Sequence, residues 1–493
     1  MMSLLTLLLL IPLAGAIAAA LLPDRAGRIV ATGAAALTFL LSLPLAASRG
    51  SGLWHQVRYD WVPSIGVKFA LGVDGISYPL VVLTTLLTLL CCAYTVWRSP
   101  EDRPSGAKLA ALLLIIEVGL LGVFLSLDLV LFFISFEVVL LPMYAVIAGW
   151  GGPDRRRAAR KFALYTLFGS VLLLIGVLGI GTSAGSFDMD LLSIEPSLPR
   201  STQIGLFVVL AVAFAVKAPL WPLHTWLPAA HTEAPTVGSV ILAGVLLKMG
   251  TYGLIRVGLG ILPEGAKAVA PVLGVLAVVA IIVGSLVCLA QRELKRLIAY
   301  SSVGHMGFVL LGIAAGAASG GFASSTGVQA ALLGNIAHGV ITGLLFFLAG
   351  AIKDRTHTGD LHELGGLRET SPALAGILGF AALASLGLPG LAGFWGEAFA
   401  VVAAVQLGGG WLWLAVVAAV GGALTAAYLL RLLRRVTHGP AAPAVTGIPA
   451  VTMAEGLAWA PLVLLALAIG LVPALVNGYV LESMPKVIEL VAR

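Results

Sequence analysis

The sequence has 493 residues, of which 59% are apolar and only 11% are charged. Because soluble domains contain about 25% charged residues, this composition excludes an ordinary soluble protein and indicates an all-α polytopic membrane protein. The net charge of +6 would favour a nucleic-acid partner in a soluble chain. Here we expect the basic residues to set orientation in the lipid bilayer, with no nucleic acid involved.

Apolar runs bounded by charged residues, Gly or Pro predict about fourteen transmembrane helices, since one span needs about 20 apolar residues. In chain order they lie near residues 3–22, 28–47, 77–97, 107–125, 128–148, 159–180, 203–227, 234–257, 268–290, 296–317, 328–352, 371–407, 411–434 and 453–478.

The loops that follow odd-numbered spans hold most of the 29 Lys and Arg residues, including the cluster between Arg155 and Lys161. Cytoplasmic loops carry an excess of basic residues, so these loops are predicted to face the cytoplasm. Both termini are then expected on the outer side of the cell's inner, or plasma, membrane. The first span lacks a basic leader and an A-x-A-like site, which predicts a retained helix.

Five ionisable residues fall inside the predicted spans: Glu117, Glu137, Lys217, Lys248 and Glu397. Each charged group at membrane depth costs at least about 2.5 kcal/mol unless it is paired or hydrated. They are therefore predicted to line a polar interior, and Glu137 and Lys217 are expected to form a pair. The competing interpretation is that Glu137 and Lys217 form an ion pair that only holds two helices in register.

Two spans are predicted to be broken. Lys217 is followed by Pro219 and Pro222, and proline removes a backbone N–H donor from a helix. The twelfth span carries Pro389 and Gly390 before Glu397. Discontinuous helices at the membrane midplane mark ion sites in transporters.

The two broken spans are five spans apart, which predicts a repeat of spans four to eight in spans nine to thirteen. Because five is odd, the copies must be inserted in opposite orientations. The predicted divisions are three N-terminal helices in 1–106, a repeat for proton uptake in 107–257, an inverted repeat for proton release in 258–436, and a last helix with its tail in 437–493.

Four histidines extend this polar series. His305 and His338 lie on the tenth and eleventh spans, between Lys248 and Glu397, and are proton-relay candidates. His224 and His231 lie at the end of the broken seventh span, where either proton transfer or interfacial hydrogen bonding is expected. Glu117 is equally well explained as a second acidic link or as a structural partner of a neighbouring helix.

Other chemistry has little support in the sequence. The 3 cysteines offer no CxxC pair for a zinc or iron–sulfur site. There is no G-x-G-x-x-G after a strand and no P-loop. We therefore expect no cofactor or metal on this chain. It is predicted to move ions within a complex whose energy-releasing reaction takes place in other subunits.

Four segments carry a family resemblance: FEVVLLPMY, KAPLWPLHTWLPAAH, LLKMGTYG and RELKRLIAYSSVGHMG. They resemble the proton-translocating, antiporter-like membrane subunits of respiratory complex I, the proton-pumping NADH:quinone oxidoreductase, over about residues 107–434. The resemblance implies fourteen helices with two inverted five-helix repeats. It also implies a Glu137–Lys217 pair, Lys248 as central proton carrier, helix histidines as relays and Glu397 as the exit group.

Within this family, the acidic residue on the twelfth span resembles subunit M, the counterpart of mitochondrial subunit 4. Subunits L and N typically carry a lysine there, and the chain has no room for the lateral helix of subunit L. The resemblance implies other membrane-arm subunits as partners, including the other antiporter-like subunits. It places NAD, FMN, iron–sulfur clusters and quinone in partner subunits, so this chain would serve the oxidoreductase without a redox site of its own.

Three alternatives remain open on the sequence: a subunit of a multisubunit cation/proton antiporter, a subunit of an energy-converting membrane hydrogenase, and a structural subunit that transmits mechanical change.

Overall fold

The computed structural model describes residues 3–50, 52–98, 105–194, 198–319 and 322–480. These residues are mostly helical. The first ten helices are α1 (Leu4–Leu21), α2 (Asp24–Ser42), α3 (Tyr78–Trp97), α4 (Gly106–Leu125), α5 (Leu129–Val138), α6 (Leu140–Trp150), α7 (Arg155–Ala184), α8 (Met189–Ile194), α9 (Arg200–Lys217) and α10 (Trp226–Glu233). The others are α11 (Thr236–Ile241), α12 (Leu247–Gly253), α13 (Pro263–Ala290), α14 (Leu294–Ala318), α15 (Phe322–Thr356), α16 (Leu367–Thr370), α17 (Pro372–Ser385), α18 (Ala392–Leu407), α19 (Gly410–Thr437) and α20 (Met453–Leu471).

The helices confirm the predicted polytopic class. Among the described residues, 13 helical segments are long and apolar enough to cross a membrane. The remaining predicted span, 371–407, consists of the two shorter apolar helices α17 and α18. The helix is interrupted between them at 386–391, which confirms the predicted break before Glu397.

The seventh span is also broken where the sequence predicted it. Helix α9 ends at Lys217, and α10 begins only at Trp226. The indole N–H of Trp226 donates a 2.9 Å hydrogen bond to the carbonyl oxygen of Val216. This bond satisfies a carbonyl at the open end of α9, which helps a broken helix to persist in a buried place.

A β-hairpin joins the second and third spans, and the sequence analysis did not predict it. Strands β1 (His55–Val62) and β2 (Val67–Val73) pair antiparallel. The N–H of Leu127, in the loop after α4, donates to the carbonyl oxygen of Ala70 in β2. The hairpin therefore covers the loops on one face of the bundle.

The loops sort into two groups that lie on opposite faces, as an alternating path through a membrane requires. Hydrogen bonds join the loops after odd-numbered spans: Asp24 with Ser105, Gly152 with Glu233, and Gly359 with Leu294. Others join the loops after even-numbered spans: Ala70 with Leu127, and Phe187 with Leu129. The choice of cytoplasmic face and the repeat boundaries stay predictions.

The centre of the bundle is formed by 236–259, α14 and α15, which are almost fully buried, whereas α1, α2 and α19 leave much of their surface exposed. Close packing at the centre uses glycine. A Cβ added to Gly250 in α12 would lie 2.6 Å from the carbonyl oxygen of Phe214 in α9. Small residues let helices approach closely in lipid, and here they bring the two lysine-bearing helices together.

Candidate functional site

Lys248 lies in an irregular part of the eighth span. Its helix, α12, is flanked by π-helical turns at Leu242–Leu246 and Leu254–Leu259. The lysine is fully buried, and its ammonium donates a 2.6 Å hydrogen bond to the carbonyl oxygen of Ala243. π-Helical turns are rare and frequently occur at functional sites.

The ammonium of Lys248 also contacts His338 on α15. Its Nζ lies 2.7 Å from Nδ1 of the imidazole. When Lys248 is protonated its ammonium can only donate, so in that state Nδ1 accepts and the neutral ring carries its proton on Nε2. That Nε2 has no hydrogen-bond partner among the described residues. The imidazole is therefore placed to receive a proton at one nitrogen and release one at the other.

His338 faces a second pair across a small cavity. The cavity is lined by His338, His305, Ser385 and Glu397 together with apolar and glycine positions. The ring centroids of His305 and His338 are 6.0 Å apart. The cavity is lined mostly by apolar positions and has a volume of about 20 Å³, which is room for a single water that the polar side chains could bind; through such a water the two imidazoles can exchange a proton without touching.

His305 and Glu397 form a short, charge-assisted contact. Nδ1 of His305 lies 2.7 Å from Oε1 of Glu397. On its other side, Nε2 lies 3.0 Å from the Ser385 hydroxyl and 3.5 Å from that of Tyr428. Both nitrogens are thus held by oxygen atoms from three different helices, which fixes the orientation of the ring.

The break in the twelfth span sets the position of Glu397. Gly387 adopts a left-handed φ of 80° in the break, and a Cβ there would lie 3.2 Å from Oε2 of Glu397. The glutamate side chain is 17% exposed, in contrast to the fully buried Lys248. The series from Lys248 to Glu397 therefore runs from the closed centre toward a more open position.

Glu137 and Lys217 are neighbours without direct contact. Among the described residues, no carboxylate oxygen lies within 4.0 Å of the Lys217 ammonium, and Oε1 of Glu137 is buried without a hydrogen-bond partner. The ammonium instead lies over the ring of Phe136, 4.8 Å from its centroid, a cation–π arrangement. Lys217 also ends α9, where the helix dipole favours a positive charge.

The other three candidates lie outside the series from Lys248 to Glu397. Both carboxylate oxygens of Glu117 are buried without partners among the described residues. His224 lies edge-on to Tyr300, and His231 stacks on Phe346 with centroids 4.5 Å apart. None of them has a described hydrogen bond through its side chain to the other candidates, so their predicted roles stay predictions.

Sequence reasoning missed several polar residues of the site. Ser385 and Tyr428 contact His305, and Thr251 beside Lys248 donates to Asn335 of α15. Single hydroxyl or amide groups in apolar helices give too weak a signal to be singled out. Only the geometry shows that they surround the ionisable series.

Lys295 was also missed, because the predicted tenth span began at residue 296 and left this lysine to a loop. It lies in the first turn of α14, is buried, and donates a 3.1 Å hydrogen bond to the carbonyl oxygen of Ala234. It lines an open cleft on the face of the odd-numbered loops, together with Glu233, Lys353 and Asp354. The cleft gives solvent a path toward the bundle interior.

Similarity to known proteins agrees with this geometry. Residues 126–422 match the family described as NADH:quinone oxidoreductase/Mrp antiporter, TM. The chain is 40% identical to NADH-quinone oxidoreductase subunit M of Rhodobacter capsulatus over 99% of this chain and 97% of that protein.

Two solved structures share the fold. A chain of respiratory complex I from Thermus thermophilus is 30% identical and superposes with a TM-score of 0.89 over 100% of both chains. A chain of the Mrp complex from Dietzia sp. superposes with a TM-score of 0.86 at 24% identity, over 99% of this chain and 52% of that one; it supports the fold alone. The chain therefore belongs to the family of transmembrane subunits shared by NADH:quinone oxidoreductase and the Mrp antiporters, and within that family it is a relative of subunit M.

Proposed function

We propose that this chain translocates protons in the membrane arm of a proton-pumping NADH:quinone oxidoreductase. The observation that carries the proposal is the spatial series of Lys248, His338, His305 and Glu397, in which two 2.7 Å contacts are joined across one small cavity. Ionisable residues at membrane depth are costly and mark ion pathways by default. A series with this spacing suits proton transfer better than it suits a structural ion pair.

Proton uptake begins in this proposal at the cleft lined by Lys295 on the face of the odd-numbered loops, which is assigned to the cytoplasm. Lys217 takes part as the group whose proton affinity depends on Glu137, and the proton that it releases passes to Lys248. The Lys217 ammonium lies over the ring of Phe136, the residue next to Glu137, so movement of this ring or of the lysine would change the separation of Glu137 and Lys217 and hence their coupling.

Proton transfer along the series uses the amphoteric imidazoles. Lys248 donates its proton to Nδ1 of His338, which releases the Nε2 proton into the cavity. His305 receives it and passes it to the carboxylate of Glu397. Glu397 releases it toward the opposite face, on which both termini are assigned to lie.

Energy for these steps comes from partner subunits in this proposal. NAD, FMN, iron–sulfur clusters and quinone are assigned to them, and this chain contributes no cofactor site. Reduction of quinone changes the electrostatics of the membrane arm and separates Glu137 from Lys217. The other membrane-arm subunits, including further antiporter-like ones, are the expected neighbours in the inner membrane of the cell.

The experiment is Lys217→Ala in the intact assembly, with Lys267→Ala as the matched control because Lys267 is exposed on α13. In sealed vesicles, Lys217→Ala should lower the rate of proton translocation per assembled complex by about tenfold or more, whereas the control should not change it. Wild-type rates at the wild-type ratio to NADH oxidised would refute the assignment of Lys217.

The same vesicles distinguish the cation/proton antiporter alternative. Proton movement driven by NADH should proceed equally in sodium-free and potassium-free media. Movement that requires either cation and continues without NADH oxidation would favour the antiporter alternative.

A further inference from the structure

A basic face at the end of α19 has no role in the proton series. Arg434 and Arg435 follow Arg431 by three and four residues, so these three side chains are neighbours on the last two turns of α19, and His438 directly follows the helix. Together with Gly439 they line one cavity. We refer to these four basic residues as the α19 basic cluster.

The positive charge of the α19 basic cluster is not neutralised within the described chain. No carboxylate oxygen of the described residues lies within 4.0 Å of its guanidinium groups, and the polar contact recorded for them is from Arg435 to the imidazole of His362, at 3.0 Å. Arg434 and His438 are exposed, while Arg431 and Arg435 are partly buried. The cavity therefore offers several charged donors and no internal anion.

An apolar stripe leads directly to this cluster along the same helix. Its members are spaced as one helix face and are exposed: Trp413, Val416, Val420, Ala423, Ala427 and Leu430. Trp413 is 73% exposed and Leu430 is 51% exposed. The stripe spans most of the length of a helix that is apolar enough to cross the membrane.

We propose that this surface binds an anionic phospholipid, with its phosphate in the α19 basic cluster and an acyl chain along the stripe. The apolar stripe has the length of a membrane span, and the cluster lies at the end of α19 where the loop after an odd-numbered span begins; the N–H of Gly366, in another such loop, donates to the His438 carbonyl there. An amphiphile with an anionic head matches both parts at once. Basic pockets on the cytoplasmic side of helix bundles are suited to such headgroups.

Arg156 and Arg157 at the start of α7 provide a matched comparison. They are exposed, belong to another apolar helix with exposed side chains, and line none of the described cavities. They should attract anionic headgroups only diffusely. Several donors that line one open cavity distinguish the α19 basic cluster from this exposed pair.

The test uses the intact assembly in nanodiscs of phosphatidylcholine doped with phosphatidylglycerol, followed by native mass spectrometry of the retained lipids. The double variant Arg431→Gln/Arg434→Gln should retain about tenfold less phosphatidylglycerol than the wild type. Arg156→Gln/Arg157→Gln should retain the wild-type amount, and Arg431→Lys/Arg434→Lys should retain most of it.

Three outcomes would overturn the proposal. The first is equal retention by the α19 and α7 double variants. The second is equal retention of phosphatidylglycerol and phosphatidylcholine by the wild type, which would mean nonspecific lipid contact. The third is cross-linking of a photoreactive residue at Val420 to a neighbouring protein subunit rather than to lipid, which would make the stripe a protein interface.

Discussion

The ammonium nitrogen of Lys248 lies 2.7 Å from Nδ1 of His338, and this contact joins two segments that the sequence assigns to different repeats. Both groups are buried, and neither has a carboxylate partner among the described residues. A neutral imidazole stabilises a buried ammonium less than a carboxylate would, so the Lys248 ammonium can give up its proton more easily than it could from an ion pair.

Removing the imidazole should interrupt the series at this contact. His338→Leu leaves the Lys248 ammonium with only the Ala243 carbonyl, and proton translocation per complex should fall by about tenfold or more. His362→Leu is the control, since His362 is exposed in a loop. Normal translocation by assembled His338→Leu complex would exclude this histidine from the path.

Proton translocation is predicted to depend on both the ionisable carboxylate and the side-chain length of Glu397. Glu397→Gln keeps the hydrogen bond to His305 but cannot ionise, so it should lower translocation by about tenfold or more. Glu397→Asp retains the charge, and it should therefore be less impaired than the glutamine variant. Initial rates of vesicle acidification measure both, and equal activity of wild type and Glu397→Gln would contradict the exit assignment.

Ser385 is predicted to position His305 without being part of the path. Ser385→Ala removes the hydroxyl 3.0 Å from Nε2, which should slow translocation by only about two- to fivefold, in keeping with one neutral hydrogen bond, and shift its pH profile. Thr182→Ala is the control, because that exposed hydroxyl bonds to its own helix at Leu178. An unchanged pH profile for Ser385→Ala would argue against a positioning role.

A buried ion pair outside the proton series is predicted to stabilise the bundle. The guanidinium of Arg355 in α15 lies 2.6 Å from Oε2 of Glu455 in α20, with both side chains at most 2% exposed. Arg355→Met leaves this carboxylate buried, partnered by Arg98 at 3.1 Å, and should cost about 3 kcal/mol.

The double variant Arg355→Met/Glu455→Gln should recover part of that loss, because no buried charge is then left behind. Thermal inactivation of the purified assembly measures each variant. If the double variant were no more stable than Arg355→Met alone, the interpretation that the loss comes from an uncompensated buried carboxylate would be wrong.

The approach of α9 and α12 should depend on Gly250. Gly250→Ala would place a Cβ 2.6 Å from the Phe214 carbonyl and 2.8 Å from the Ala218 nitrogen, so backbone must move. The expected cost is about 1–3 kcal/mol, with slower translocation. Gly376→Ala meets nothing within 4 Å and should be neutral; equal effects of the two variants would contradict the packing argument.

The sequence predicted the features of this structure that arise because lipid, and not water, surrounds the helices. Apolar length placed the spans, and prolines beside Lys217 and before Glu397 located both breaks, because proline lacks the N–H that a helix interior uses for its hydrogen bonds. Ionisable residues at membrane depth identified the series from Lys248 to Glu397 because their burial cost is independent of the fold.

Features that depend on tertiary contacts could not be predicted in the same way. The π-helical turns around Lys248 have no compositional signature, and the β-hairpin at 55–73 lies in a loop with weak alternation. The insertion of Phe136 beside Lys217 depends on how α5 and α9 pack. For the same reason, Ser385 and Tyr428 became part of the site only when their helices were seen around His305.

The most direct test of the central claim is the rate of proton translocation per assembled complex with Lys248→Met, measured in sealed vesicles during NADH oxidation. Methionine fills the buried site without a titratable group. We predict that proton translocation falls by about tenfold or more, whether electron transfer slows with it or becomes uncoupled. Translocation at the wild-type rate and wild-type ratio would show that protons do not pass through Lys248 and would contradict the account.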